Sequence, residues 1–415
     1  MSFQNKIRYF VFAVLLGTST SGWATSFFSS KGLGMHVEGI NAAGLGMGAS
    51  GIVLADPRTL SSLNPALAAP EKTTRLSIHF LSESIGQKNA AGTGHSNYNN
   101  AFGGQFLVPL GERYSFSMGI SPLNYTDYYY ESEGGSGENA HHSVISGKGS
   151  LNKLFLGFYV NYKNKIALGT SFNYALGKYD EKWRVNYVSS TYYNTADALH
   201  TKLSGVNWDF GIFANPIKNW SLGAVITTPL NLSSEHTMVF NYQVQISEYS
   251  YDNAQKKLTD GSLDIPLGWG IGSSYRLLDQ RLTVLTEYAT QPYSKLKLDD
   301  REQADNYNDY YRFSFGMSYK HSKNPFDKYL YHIPLRIGFY QKQLQMKYVN
   351  GNSVNERAVT FGFGLPFFMN FGRFDLGVAL GKRGDLAKNP AEENFFNVMV
   401  SVTGGERWFI RGSRN

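Results

Sequence analysis

The 415-residue chain contains no cysteine. That excludes disulfide staples and a lipid carried on an N-terminal cysteine, so an exported fold must be held by packing and hydrogen bonds alone. After the N-terminus, no stretch stays apolar for the ~20 residues that a membrane helix requires. Blocks of one charge sign are also missing. The 39 Lys and Arg outnumber the 32 Asp and Glu, for a net charge of +7, but the basic residues are scattered. Scattered charge argues against nucleic acid as a partner and fits solubility or contact with anionic lipid headgroups. No serine sits in a Gly-x-Ser-x-Gly turn, so the local signature of a nucleophile elbow is lacking.

Glycine and aromatics are abundant: 43 Gly, 28 Tyr and 28 Phe, at a mean hydropathy of -0.31. A chain polar on average yet rich in aromatics suits alternating strands with aromatic girdles. The start reads as a secretory signal, residues 1–24. Lys6 and Arg8 precede the apolar "YFVFAVLLG", and Gly22 and Ala24 offer small residues for cleavage. Export follows as an expectation.

From Thr73 onward the dominant period is two. In "IALGTSFNY", Ile166, Leu168, Thr170, Phe172 and Tyr174 share one face. Val206, Trp208, Phe210 and Ile212 do the same, as do Phe313, Phe315, Met317 and Tyr319. Alternation alone is equally compatible with a soluble sandwich. Three features favour a membrane barrel. The aromatic face recurs in nearly every segment, the opposite face is rich in Gly and Ser, and short connections alternate with long ones. The Gly/Ser face also carries isolated charges: Asp209, Glu287, Arg312, Arg336 and Asp375. Buried charges need partners, so these lumen residues are expected to pair with one another or with a plug.

Segments near 73–86, 98–110, 113–130, 146–162, 165–190, 198–214, 219–243, 258–277, 280–294, 307–324, 332–348, 354–369, 372–384 and 393–405 make 14 strands. An even count is what a closed bacterial barrel demands. The fold class expected is all-β: a 14-stranded antiparallel transmembrane β-barrel over residues 73–409, with a tail at 410–415.

Residues 25–72 neither alternate nor look disordered. Within them, Gly46-x-Gly48-x-x-Gly51 has dinucleotide-loop spacing, but Pro57, Pro65 and Pro70 forbid the continuous helix whose N-terminus would hold a pyrophosphate. A helix start at Asp56-Pro57 is expected instead. Compact and apolar, this block suits an N-terminal hatch inside the lumen. Without one, a 14-strand barrel is wide enough to conduct water.

The stretches "FFSSKGLGM" (Phe27–Met35) and "GLGMGASGIVLADPRTLSSLNPALAA" (Gly44–Ala69), followed by "IPLGWGIGSSYRL" and "IPLRIGFY", resemble the FadL-like family of long-chain fatty-acid transporters from Gram-negative outer membranes. The resemblance implies a hatch built on Phe27, Phe28, Gly46, Gly48 and the motif Asn64-Pro65-Ala66. It also implies a kink at Pro122 in the third strand, where a lateral opening would lie. Passive uptake of a hydrophobic small molecule follows, in contact with outer-membrane lipid and lipopolysaccharide. No cofactor, metal or nucleic acid is implied, and the chain is expected to act as a monomer. Pro122 has a competing reading, as the point where the strand passes into an extracellular loop.

Two other functions stay open. The ending runs past Trp408-Phe409 into "IRGSRN", which fits a barrel that serves as a partner in protein secretion or outer-membrane assembly. A lipid hydrolase is the third choice. His141-His142 read as solvated loop residues, and the pattern leaves no lumen-facing histidine beside a serine, His79 coming nearest.

Overall fold

The computed structural model describes residues 26–406, apart from 57, 69–72, 91, 163–164, 190, 244–250, 304, 325, 349–351 and 368–371. The expected signal at 1–24 and tail at 410–415 lie outside the described residues, as do Pro57 and Pro70.

Period-two alternation becomes a wall of 14 antiparallel strands. They are β1 (Thr74–Asn89), β2 (Gly92–Leu110), β3 (Tyr114–Gly134), β4 (His141–Tyr162), β5 (Ile166–Tyr187) and β6 (Asn194–Ile217). Then come β7 (Trp220–Thr227 and Leu230–Gln243), β8 (Tyr251–Lys257, Gly261–Ile265 and Gly268–Leu277), β9 (Leu282–Gln291) and β10 (Tyr310–Tyr319). The last four are β11 (Leu335–Lys347), β12 (Ser353–Phe367), β13 (Gly372–Gly384) and β14 (Ala391–Glu406). Each pairs with its neighbour in sequence, and β1 pairs with β14 from Thr74↔Glu406 to Asn89↔Ala391, closing the ring. Closure removes the unpaired edges that a hydrocarbon environment cannot tolerate.

The two faces differ as the alternation dictates. Leu76, Leu168, Phe158, Trp208, Phe315 and Phe361 are exposed on the outside, in a band of apolar side chains that touch one another along the wall, as Trp208 does Phe172 and Phe210. Inward positions are buried, and among them Arg312 and Arg373 are almost fully enclosed. An exposed apolar belt around a polar interior is the signature of a barrel solvated by lipid.

Strand boundaries correct the sequence reading in several places. The long polar connections are shorter than expected, because β3 runs to Gly134 and β4 starts at His141. His141 and His142 are therefore strand residues, and His142 Nδ1 meets Glu133 Oε1 of β3 at 2.9 Å. Likewise β6 begins at Asn194 rather than near 198. The expected strands 219–243 and 258–277 are interrupted around Thr228–Pro229 and Pro266–Leu267, where proline cannot donate to the ladder. Pro122 stands inside β3, not at its end.

The helix expected at Asp56 does not form. Asp56 instead closes a turn, accepting the Arg58 amide at 3.0 Å and, through its carbonyl, the Thr59 amide at 3.1 Å. Competition by a short side-chain acceptor for the local amides explains the difference.

Residues 26–68 touch inward-facing positions on strands all around the ring. Ala42 meets β13 and β14, Met47 meets β10, Ile52 and Val53 meet β7 and β8, and Pro65 meets β5 and β6. One segment can reach all these walls only from inside. The core is therefore the boundary between this block and the wall: Leu45 and Ile40 pack with Leu81, Tyr340 and Met399, and Met47, Val53 and Ala66 with Leu107, Tyr159 and Phe213.

Candidate functional site

The Gly/Ser inner face has a steric purpose. A Cβ placed on Gly338 of β11 would lie 2.2 Å from the Gly48 amide nitrogen, and one on Gly48 would lie 2.5 Å from the Phe339 carbonyl. Backbone meets backbone here, so neither side can carry a side chain. Gly48 also has φ +73°, a region that glycine enters freely. Gly169, Gly211, Gly223, Gly316 and Gly377 give the N-terminal block the same close approach. Of the glycines that mimic a dinucleotide loop, Gly46 and Gly48 are contact points against the wall, whereas Gly51 lies against Leu63 and Ser61 of the block itself. Gly338→Val is expected to undock residues 46–48 while leaving the outer ladder intact. Limited proteolysis of the folded barrel should then cut within this segment, and protection equal to that of the unaltered protein would refute the steric account.

Polar contacts fix the same block. The Glu287 carboxylate on β9 accepts the amides of Gly51 (2.9 Å), Ile52 (2.7 Å) and Val53 (2.9 Å). It also faces Arg312 Nη2 at 3.4 Å, whose Nε lies 2.8 Å from Glu38 of the block. A second cluster joins Asp56 to Arg373 (2.7 Å) and Arg336 (3.7 Å), and both arginines reach Asp375 at 2.8 Å. Burial opposes ionisation of Asp56, but the two guanidiniums beside it hold its carboxyl well below the usual range. Asn64 donates to the Ile52 carbonyl (2.8 Å) and the Ile212 carbonyl of β6 (3.2 Å), while its Oδ1 accepts the Ala66 amide (3.0 Å). Pro65 and Ala66 open a short 3-10 turn, Pro65–Ala68, against the inner wall. Phe28 is fully buried against Gly384 and Tyr348, and the Phe27 amide donates to Glu393 at 2.6 Å.

The sequence identifies Glu287 and Arg312 in the first cluster, Arg336 and Asp375 in the second, and Asp209, but not their other partners. Glu38, Lys153, Arg373 and the set Arg383, Glu83, Glu356 and Glu393 went unnoticed. Arg383 contacts all three glutamates at 2.6–3.0 Å. Arg373 lies in the expected strand 372–384 at a spacing of two from Asp375, which puts both on the inward face. Asp209 pairs with Lys153 of β4 at 2.8 Å.

The wall is irregular at β3. Its ladder to β2 runs from Leu110↔Tyr114 to Gly104↔Ile120, whereas its ladder to β4 continues to Gly134↔His141 with a register shift between Pro122 and Asn124. Above Ile120, β3 takes a different partner. Met35–His36 of the N-terminal block pairs with Tyr125 and Asn124, the Val37 amide donates to the Leu123 carbonyl at 2.8 Å, and Ser29 bonds the Asp127 backbone. The chain's own N-terminus thus supplies ladder bonds where β2 departs.

Two hollows meet at this seam. Inside is a pocket lined by His36, Glu38, Asn124, Lys153, Asp209 and Arg312, among others. Outside is an apolar groove lined by Ile78, Ala101, Phe106, Met118, Leu154 and Phe172. Pro122 lines both. Burial pushes the His36 imidazole down to about 4, so near neutral pH it is uncharged, and Lys153 and Arg312 are the pocket's cations.

The structure also overturns one expectation about chemistry. His79 does face inward beside a serine: its Nδ1 lies 2.8 Å from Ser401 Oγ. Yet that hydroxyl accepts the Ala42 amide at 2.8 Å and is buried under the N-terminal block. The pair is a docking contact, with no room for an acyl group. Among the described residues, no group of three or more His, Asp or Glu could hold a metal ion.

A family model described as BamG matches residues 4–415. No curated protein matches the sequence. Among solved structures, the Ralstonia pickettii toluene transporter TbuX is 14% identical, with 89% of this chain and 98% of that chain covered at a TM-score of 0.57. The P. putida toluene transporter TodX is 16% identical, with 89% and 99% covered at 0.58. A Pseudomonas aeruginosa FadL homologue is 11% identical, with 90% and 99% covered at 0.61. At such identities the likeness is one of fold: a FadL-type barrel.

Proposed function

Because the chain belongs to the BamG family and folds as a FadL-type barrel of the Gram-negative outer membrane, we propose that it conducts hydrophobic small molecules passively. The route runs from the extracellular loops into the lumen pocket and out through the β2–β3 seam. The observation that carries this reading is Pro122, which lines at once the lumen pocket, where charged groups stand among apolar ones, and the apolar outer groove. An open aqueous pore offers an apolar solute no favourable contact, whereas burial is worth roughly 0.8 kcal/mol per CH2. The composition of the two hollows suits an amphiphile, its polar end near Lys153 and Arg312 and its tail in the groove. A fatty-acid-like carboxylate meets that description, and a toluene-like hydrocarbon meets only its apolar half. In this reading residues 26–68 are the hatch, Asn64-Pro65-Ala66 is its anchor, and the lumen charges hold it rather than perform catalysis.

Cells lacking other routes for hydrophobic solutes, and expressing this chain, should take up a labelled long-chain carboxylate well above the background of empty cells. They should exclude a sugar of similar size. Uptake equal to background, or free passage of the sugar, would sink the proposal.

A second reading, a partner in protein secretion or outer-membrane assembly, draws support from how firmly the block is held. Ion pairs, a carboxylate on three amides and backbone contact around the ring would keep a scaffold shut. Recovery of protein partners with the purified barrel, together with a lumen free of lipid, would favour it.

A further inference from the structure

The lumen pocket at the seam has a volume of about 140 Å³, close to that of a cavity holding one benzene ring. That is room for an end-group, not for a long chain. Val225, Leu230 and Ile265 supply apolar wall, while Arg312, Asn124, Lys153, Asp209 and Glu38 supply polar lining. Two of these side chains carry donors that nothing accepts. Arg312 and Asn124 are each 1% exposed, and neither Arg312 Nη1 nor Asn124 Nδ2 has a hydrogen-bond partner among the described residues. Buried polar groups in folded proteins are nearly always paired, so both donors point to an oxygen that the chain does not provide.

The charges around these donors are already matched. Lys153 Nζ meets Asp209 at 2.8 Å. Arg312 lies between Glu38, 2.8 Å from its Nε, and Glu287, 3.4 Å from its Nη2. His36 is uncharged near neutral pH. Two cations, Lys153 and Arg312, thus stand against three carboxylates, Asp209, Glu38 and Glu287. An entering anion would add a further buried negative charge with no cation of its own, which costs far more than burying a neutral polar group. A neutral oxygen escapes that penalty, and the two lone pairs of a carbonyl can accept from both donors. Water can hold the same donors when no ligand is bound, so whatever displaces it must reproduce both bonds.

We infer that the lumen pocket takes the uncharged, oxygen-bearing end of a hydrophobic molecule, a ketone, an alcohol or a carboxylic acid in its protonated form. Arg312 Nη1 and Asn124 Nδ2 donate to that oxygen, and the tail lies toward the apolar groove beyond Pro122. Lys153 serves as the partner of Asp209 rather than of the ligand. The inference rests on the proposed conduction of hydrophobic molecules and narrows it: a fatty-acid-like ligand enters this pocket as the acid, and a permanent anion is turned away.

Native mass spectrometry of the detergent-purified full chain, titrated with methyl decyl ketone, dodecane and dodecanesulfonate, tests it. The ketone should reach half-occupancy at a concentration on the order of tenfold below the other two, the range that two neutral hydrogen bonds supply. Asn124→Leu should weaken the ketone on the order of fivefold, one bond's share, and leave dodecane as it was. That substitution breaks no protein hydrogen bond of Nδ2, and heat-modifiable gel migration should report a folded barrel. Asp209→Asn frees Lys153 from its acid and should strengthen dodecanesulfonate on the order of tenfold, as a charged donor allows. Sulfonate that binds the original chain as tightly as the ketone, or ketone that binds no tighter than dodecane, would overturn the assignment. So would an unaltered ketone affinity in Asn124→Leu, or a sulfonate that gains nothing from Asp209→Asn. If the ketone binds with this selectivity while cellular uptake stays at background, the site stands and the conduction reading fails.

Discussion

Joining β2 to β3 through Ala101→Cys and Pro122→Cys is expected to reduce uptake of a hydrophobic solute to the level of cells without the protein. Both positions line the outer groove at the seam. The chain has no cysteine of its own, so a thiol-directed cross-linker can act only there. Below the seam the β2–β3 ladder is intact and needs no reinforcement; above Ile120 the contact that must open is not a ladder between these two strands. The cross-link should therefore leave folding and extracellular binding unchanged and remove only lateral exit. Reversing a cleavable cross-link should restore uptake. Pro122→Ala alone is expected to do little, because the register shift beside it is also set by the β4 pairing. Full uptake through an efficiently cross-linked barrel would rule out the seam and point to passage straight through the hatch.

The second large effect is expected from Glu287→Ala. This carboxylate is buried and holds three consecutive amides of the N-terminal block, the hatch of the proposed function, together with Arg312. Its removal orphans those amides and leaves the arginine with Glu38 as its remaining acid. Breaking a buried pair from one side costs about 3–5 kcal/mol. Here the loss falls on the hatch, since the β9 ladders run through backbone groups that the substitution does not touch. The barrel should still migrate as a folded, heat-modifiable species, while single-channel conductance in planar bilayers rises toward that of a variant lacking residues 26–68. Conductance unchanged from the original protein would mean that the remaining contacts, Asp56 with Arg373 and Gly48 with Thr360, hold the hatch without Glu287.

Alternation was enough to read the wall. A strand's side chains point to opposite faces with period two, so Phe313, Phe315 and Met317 against Arg312, Ser314 and Gly316 define an outside and an inside without any knowledge of neighbours. Strand number followed from counting such segments, because each must be long enough to cross the bilayer. The inward direction of Asp209, Glu287, Arg312, Arg336 and Asp375 came from the same parity. Composition explained why the inner face had to be small, though not what it met.

Everything that depends on which residues meet across the ring was left to the tertiary structure. Glu38 and Arg312 are 274 positions apart, as residue numbers 312 and 38 give, and no local period relates them. Nor does any pattern in "MHVEG" announce that Met35 and His36 will take the ladder that β2 gives up. Pro122 alone could have been a strand end or a kink. Only the register of β4 beyond it, continuing to Gly134↔His141, decides that the strand goes on. Side-chain direction is fixed by local backbone geometry and is written in the sequence. Partner choice in a closed ring is fixed by how the whole wall curves around the N-terminal block, and that exists only once the barrel has closed.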